Sequence, residues 1–270
     1  VNKNETIKFN PLDSNPFEAK FQIDSAFSCD YRGPVILVPY SKHYSWPKAA
    51  MVLGLGSEAV WPIELTDKGR VSVVDLRRKI ETALSQDRPI AMVVSVAGTT
   101  VLGEVDEIDL IQDLIDEYKN KGIHIWHHVD AAYGGYFRCL ADEDKGTIKN
   151  ALDALPRVDS ITMDSHKLGY VPFSSGSFLV KSRRDYMVNV QDAPYIQFST
   201  KRLDRGAFTL EGSRSAAGAV ATWMTAKTTG FNPEGYGTIL ARSFGSLRKL
   251  EAALCRAIPD IRIAPSRDTN

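Results

Sequence analysis

The sequence predicts an α/β protein built on a mostly parallel sheet, and three observations predict it. From about residue 35, short apolar runs alternate with amphipathic stretches of helical period, the pattern of strands joined by crossover helices. The clearest runs are continuously apolar, as strands buried on both faces are. Thr99, Thr100, Asp130, His166 and Lys167 all fall just past the ends of such runs, and in open α/β sheets ligands collect outside the carboxyl ends of the strands.

Val35-Ile36-Leu37-Val38 reads as a buried strand, and residues 45–55 read as a helix with Pro47 in its first turn. Val60-Trp61-Pro62-Ile63 is the next strand, and residues 74–84 carry apolar side chains at helical spacing. Residues 89–96 form the clearest buried strand, ending in the loop Ala97-Gly98-Thr99-Thr100. A helix follows over 108–121, with Leu110, Leu114 and Ile115 inward and Gly122 as its stop, and then a strand over 123–130 with Asp130 at its carboxyl end. After an acidic loop, Ser160-Ile161-Thr162-Met163 is a further strand leading to His166-Lys167, and residues 176–180 read as an antiparallel one. A helix around 240–254 and a short strand near 261–263 close the chain.

The 270 residues carry 33 basic and 33 acidic side chains, so no net field favours nucleic acid or an anionic membrane surface, and a small-molecule ligand is the expectation. The hydrophobic share of 43% suffices for a full-sized core. No apolar run approaches the roughly 20 residues of a membrane-spanning helix, which predicts a soluble chain. Cys29, Cys139 and Cys255 are odd in number and far apart, which fits neither a disulfide framework nor a CxxC metal site and points to a reducing, cytoplasmic compartment.

A lysine just after a buried strand is a candidate nucleophile, because desolvation favours its neutral amine. Lys167 is such a lysine, although a lysine in this position is commonly an exposed loop residue. Asp130, ending an apolar strand and followed by Ala131 and Ala132, has room beside it for a flat ring; a carboxylate there holds a pyridine nitrogen protonated, or caps the next turn. His43 follows the first strand, where its imidazole stacks on a ring or is an ordinary satisfied polar group.

These residues sit in five blocks: residues 43–49 (HYSWPKA), 98–103 (GTTVLG), 128–135 (HVDAAYGG), Asp159-Ser160 with Asp164-Ser165-His166-Lys167, and 210–214 (LEGSR). In that order they make the chain resemble the group II pyridoxal-phosphate-dependent amino-acid decarboxylases, over most of residues 35–225. The resemblance implies the large domain of a fold-type-I pyridoxal-phosphate enzyme with a seven-stranded type of sheet. It implies an uncertain segment over 1–34, a cofactor-binding domain over 35–235 and the start of a small domain over 236–270. Pyridoxal 5'-phosphate would form a Schiff base with Lys167, Asp130 would pair with its ring nitrogen, and His43 would stack on the ring while positioning the substrate carboxylate. Ala132 would pack on the opposite ring face, Thr100 would contact the cofactor, and Ser160 and His166 would lie around its phosphate. Tyr195 matches the loop tyrosine that returns a proton after carbon dioxide leaves; read alone, it is an ordinary loop tyrosine. The family's sites lie at a dimer interface, so a homodimer is implied.

The blocks around His43 and Lys167 look most like bacterial tyrosine decarboxylases, whereas 210–215 is also similar to enzymes acting on glutamate or aspartate. An aromatic substrate is favoured and an acidic one is the alternative. Residues 1–34 hold no Gly/Ser/Thr-rich phosphate cradle and the chain stops soon after residue 263, so the expectation is the central piece of a longer enzyme. Three other readings stand beside this one: a metal site on His124, His128 and Asp130, which share strand parity with His127 opposite; another fold-type-I reaction such as transamination or desulfuration; and a non-catalytic binding or assembly protein.

Overall fold

A computed structural model describes residues 15–189 and 214–263. Six strands, β1 (Val35–Pro39), β2 (Val60–Ile63), β3 (Ile90–Val96), β4 (Trp126–Asp130), β5 (Ser160–Asp164) and β6 (Gly176–Val180), form one sheet in the order β2-β1-β3-β4-β5-β6. The first five are parallel and β6 runs antiparallel to β5, as expected from its short connection. The described residues thus hold six strands of the seven-stranded type. Seven α-helices, α1 (Pro16–Phe27), α2 (Ser45–Val52), α3 (Val73–Ser85), α4 (Ile108–Asn120), α5 (Lys149–Ala154), α6 (Ala217–Thr228) and α7 (Thr238–Ala257), accompany the sheet among the described residues, with short 3-10 and π turns between elements.

Because side chains alternate along a strand, register assigns every strand residue to one of two faces. Val35, Leu37 and Val93 point to the face covered by α3 and α4, where Leu76, Ile80, Ile111 and Leu114 are buried with them. Farther along that face Val129 joins a second cluster with Leu152 of α5 and Leu240 and Phe244 of α7. The other face carries Ile36, Val38 and Val94, packed by Trp46 from α2. On this same face lie His128, Asp130, Ser160 and Thr162, aligned by the pairs Val94–His128, Val96–Asp130, His128–Ser160 and Asp130–Thr162.

Several boundaries differ from the sequence expectation, for local reasons. β4 begins at Trp126 rather than 123: Gly122, at φ 81°, lets its own N–H reach Lys119 O and the Ile123 N–H reach Tyr118 O, so residues 121–123 finish α4 instead of starting a strand. α2 stops at Val52 rather than 55 because the same pair of bonds closes it, from Gly54 N to Met51 O and from Leu55 N to Ala50 O. Helix α1 was not expected; its signal is the Asn15-Pro16 pair, in which the Asn15 side chain accepts the Phe17 and Glu18 N–H groups. Helices α5 and α6 were not expected either, and α6 has no buried residue from which a periodic pattern would arise. Residues 261–263 form no strand. α7 covers the helix expected over 240–254 and extends it at both ends.

His127 ties the α4 face together. Its Nδ1 is 2.8 Å from Gln112 Oε1 on α4 and its Nε2 is 2.8 Å from Ser95 Oγ on β3, with the ring fully buried. Burial pushes this imidazole down to about 3, whereas histidines of an unfolded chain titrate near about 6.5. Between those values the unfolded state binds a proton that the folded state does not, so stability falls as pH drops through the window, by about 1.4 kcal/mol per pH unit for this one group. His127→Gln should lower stability at neutral pH by ~1–2 kcal/mol and make the loss toward acid shallower by about one proton. Urea unfolding of both proteins between about pH 6.5 and about pH 4.5 measures this, and parallel pH dependences would contradict it.

Candidate active site

The ends of four strands and the segments that follow them meet around a cleft of about 270 Å³. β1 leads into Ser41, His43, Ser45 and Trp46; β3 ends at Val96 and continues through Gly98, Thr99 and Thr100; β4 ends at Asp130, followed by Ala132 and Tyr133; β5 supplies Thr162 and Asp164, followed by Lys167. Val96, Asp130 and Thr162 form one row across neighbouring strands, and all three line the cleft.

The Asp130 carboxyl is held from two sides. Its Oδ1 accepts the Ala132 N–H at 3.3 Å and its Oδ2 accepts the Trp46 indole N–H at 3.4 Å. Beneath it His128 is buried, with Nδ1 2.8 Å from Ser160 Oγ and Nε2 3.1 Å from Thr162 Oγ1, and its ring lies edge-on to Trp46 at 5.5 Å. Burial drives the His128 imidazole down to about 4, against the pull of Asp130. A neutral His128 does not neutralise Asp130, and among the described residues no cation forms an ion pair with that carboxyl. The site therefore presents Asp130 to a cation that a ligand would bring.

Lys167 follows β5 in a tight turn, its N–H donating to Asp164 O at 3.1 Å. The turn is fastened by Tyr136, whose hydroxyl donates to Ser165 Oγ at 2.8 Å, and by Tyr236, whose hydroxyl donates to Gly169 O. Leu168 is buried between these anchors, while Lys167 itself stays exposed toward the cleft. His43 is half-buried, and its Nδ1 accepts the Ser45 N–H at 3.3 Å and lies 2.8 Å from Ser45 Oγ.

The 97–105 loop is pinned by its own hydrogen bonds. Gly98 and Thr99 both donate their N–H groups to Glu104 O, and Thr99 Oγ1 accepts the Glu104 N–H at 3.0 Å. Gly98 has φ 88°, and a Cβ there would stand 3.0 Å from Gly134 N. Asp106 fastens the base of the loop by accepting the Val71 and Val96 N–H groups, each at 2.7 Å, and its complete burial pushes its carboxyl up to about 6.

The structure brings Lys167, Asp130, His43, Thr100 and Ala132 to one cleft. It does not bring Ser160 or His166 there. Ser160 sits a row beneath Asp130, 2% exposed, its Oγ accepting the Trp126 indole N–H at 2.7 Å and bonded to His128. His166 turns its Nδ1 to the Ser175 N–H at 2.9 Å and stacks edge-on with Phe173 at 4.8 Å. Tyr195 and residues 210–213 lie outside the described residues. His124 precedes β4, and among the described residues no three His, Cys, Asp or Glu side chains are placed to hold a metal ion. Sequence reading missed Trp46, Thr162 and Asp164 as cleft residues. The last two share strand parity with Asp130 by register, a signal that becomes legible once the strands are aligned.

The residues present fit pyridoxal phosphate at its ring end: a carboxyl, a lysine amine and an imidazole face one cleft, and Ser41 Oγ is buried there with no hydrogen-bond partner of its own. Comparison with known proteins agrees. The profile of the pyridoxal-dependent decarboxylase conserved domain matches residues 27–263. An L-tyrosine decarboxylase of Enterococcus faecium is 33% identical over 246 residues, covering 81% of this chain and 40% of that protein. An aspartate 1-decarboxylase of Aliivibrio fischeri is 38% identical over 185 residues, 68% of this chain and 31% of its own length. The crystal structure of mouse CSAD superposes with a TM-score of 0.71 at 26% identity, covering 82% of this chain and 44% of that one. The chain thus spans less than half the length of these relatives. With the cleft's lysine and carboxyl at the strand ends and the domain profile running across nearly all the described residues, the chain belongs to the pyridoxal-dependent decarboxylase family.

Proposed function

We propose that this chain carries the cofactor centre of an amino-acid decarboxylase that converts an L-amino acid, with an aromatic side chain favoured, to its amine and carbon dioxide. The observation that carries the reading is the convergence of Lys167, Asp130 and His43, from three separate strand ends, on one cleft. Bound pyridoxal phosphate supplies an electron sink for the pair left behind when carbon dioxide departs.

The chain's own residues make that sink effective. Lys167 and Asp130 would hold the cofactor at its aldehyde and its ring nitrogen, and Asp130 keeps a proton on that nitrogen by its charge. Trp46 and the Ala132 N–H fix the carboxyl so that it is pre-aligned rather than reoriented at the moment of reaction. His43 is the group for the ring face and the substrate carboxylate, Ala132 leaves space at the other face, and Thr100 contributes a hydroxyl. Tyr195 is the proposed proton donor, by its place in the sequence. Trp46 and Tyr133 give the cleft aromatic walls, which suits an aromatic substrate, as does the likeness to a tyrosine decarboxylase. The likeness to an aspartate decarboxylase favours an acidic substrate as the second reading. A cytoplasmic homodimer belongs to the same proposal; among the described residues no helix is long and apolar enough to cross a membrane.

Lys167→Ala should abolish both the visible absorption that develops with added pyridoxal phosphate and the release of carbon dioxide, and a variant with normal turnover would refute the assignment. Asp130→Asn should retain weak cofactor binding while turnover falls by about 10²-fold; spectra and carbon dioxide release, taken together, report both. Trp46→Phe keeps the aromatic wall and removes the N–H to Asp130, so kcat should fall by roughly 3- to 10-fold with the cofactor still bound. A carbon dioxide release screen over tyrosine, phenylalanine, glutamate and aspartate tests the substrate, and turnover of the acidic pair alone would overturn the aromatic preference.

A further inference from the structure

Asp164 ends β5 on the same sheet face as Asp130 and lines the cleft beside Lys167. Its Oδ2 lies 3.1 Å from Lys167 Nζ and 3.6 Å from His166 Nε2. The Ser175 N–H donates to His166 Nδ1 at 2.9 Å, which leaves a neutral ring's proton on Nε2, the nitrogen nearer Asp164. Ser175 is itself fastened to α6, its Oγ donating to Gly218 O at 3.1 Å and lying 3.0 Å from Thr222 Oγ1. Across the antiparallel pair Gly176 is the register partner of Asp164, and a Cβ there would stand 2.9 Å from Oδ1. The carboxyl is therefore placed by its surroundings: its side chain is 15% exposed, against 39% for that of Lys167. Lysine has four rotatable bonds and a strongly hydrated head, so an exposed one samples many positions unless something holds it.

We propose that Asp164, seated in the space left at Gly176, is a positioning residue that holds the Lys167 amine at the cleft for capture of an aldehyde. This rests on the reading of Lys167 as the cofactor lysine and deepens it. The chemistry balances without an oxidant or reductant. The ammonium gives up one proton to solvent base, which reaches the partly exposed amine, while Asp164 at 3.1 Å keeps the nitrogen at the cleft. Nζ then bonds the aldehyde carbon, and the carbonyl oxygen leaves as water with the two remaining amine hydrogens.

The test is the rate at which the cofactor-stripped full chain develops visible absorption with pyridoxal phosphate, followed by borohydride reduction and peptide mapping of the labelled lysine. Asp164→Asn should slow capture by about five- to tenfold, the order expected when one long side chain regains its rotamers, and should lower the share of label on Lys167 under limiting aldehyde. Asp164→Glu, which restores the charge, should recover most of the rate. Thermal melting separates this from unfolding; if the Asn variant melts early, Gly176→Ala, whose Cβ would stand 2.9 Å from Asp164 Oδ1, should still slow capture by about two- to threefold, and an unchanged rate there would overturn the proposal. Capture by Asp164→Asn at the wild-type rate, or a Glu variant as slow as the Asn one, overturns the proposal while leaving the cofactor reading intact. A wild-type chain that develops no band at Lys167 takes both down.

Discussion

The register of the parallel sheet is the constraint on which the site depends. Two-residue alternation on three neighbouring strands puts Val96, Asp130 and Thr162 in one row, and a slip of one residue in β4 would exchange Asp130 and His128 for Val129 and His127. That slip is opposed from the face that α3 and α4 cover. Val129 would leave the buried cluster it shares with Leu152 and Leu240, and His127 would lose Gln112 and Ser95. The packing on the α3 and α4 face is thus what keeps the Asp130 carboxyl on the other.

Two adjacent histidines on β4 illustrate how the faces divide the work. Both are buried and held neutral by desolvation, with every ring nitrogen engaged. His127 joins a helix to the sheet. His128 props Asp130 and Trp46 from below without offering a charge, which keeps the negative field at the strand end undiluted. One residue type at two successive positions does a packing task and an electrostatic one because the pleat sends the side chains opposite ways.

Much of this was legible in the sequence because buried parallel strands are written as continuous apolar runs. All six strands were placed, β4 three residues early because the apolar Ile123 and Ile125 also serve the end of α4. Helices α5 and α6 were not legible, the first being short within an acidic stretch and the second lacking a buried face. Of the site, Lys167, Asp130, His43, Thr100 and Ala132 were readable as residues flanking strand ends. Ser160 was assigned to a phosphate because the block it belongs to was read as a unit, whereas its position at the start of β5 puts it two residues deeper than the cleft. Trp46 was hidden for a different reason: its bond to Asp130 spans 84 positions, and nothing local announces such a partner.

The clamp on the lysine turn has a consequence for the order of assembly. Tyr236 reaches Gly169 across 67 positions, and its ring lies in a cluster with Tyr136 and Phe231. A chain emerging in sequence order has His43, Asp130 and Lys167 in hand long before Tyr236 arrives. Closure of a loop this long is entropically slow, and contacts of large sequence separation form late. The three cleft residues are therefore made well before the tyrosine that fastens the lysine turn, and that tyrosine does not itself line the cleft.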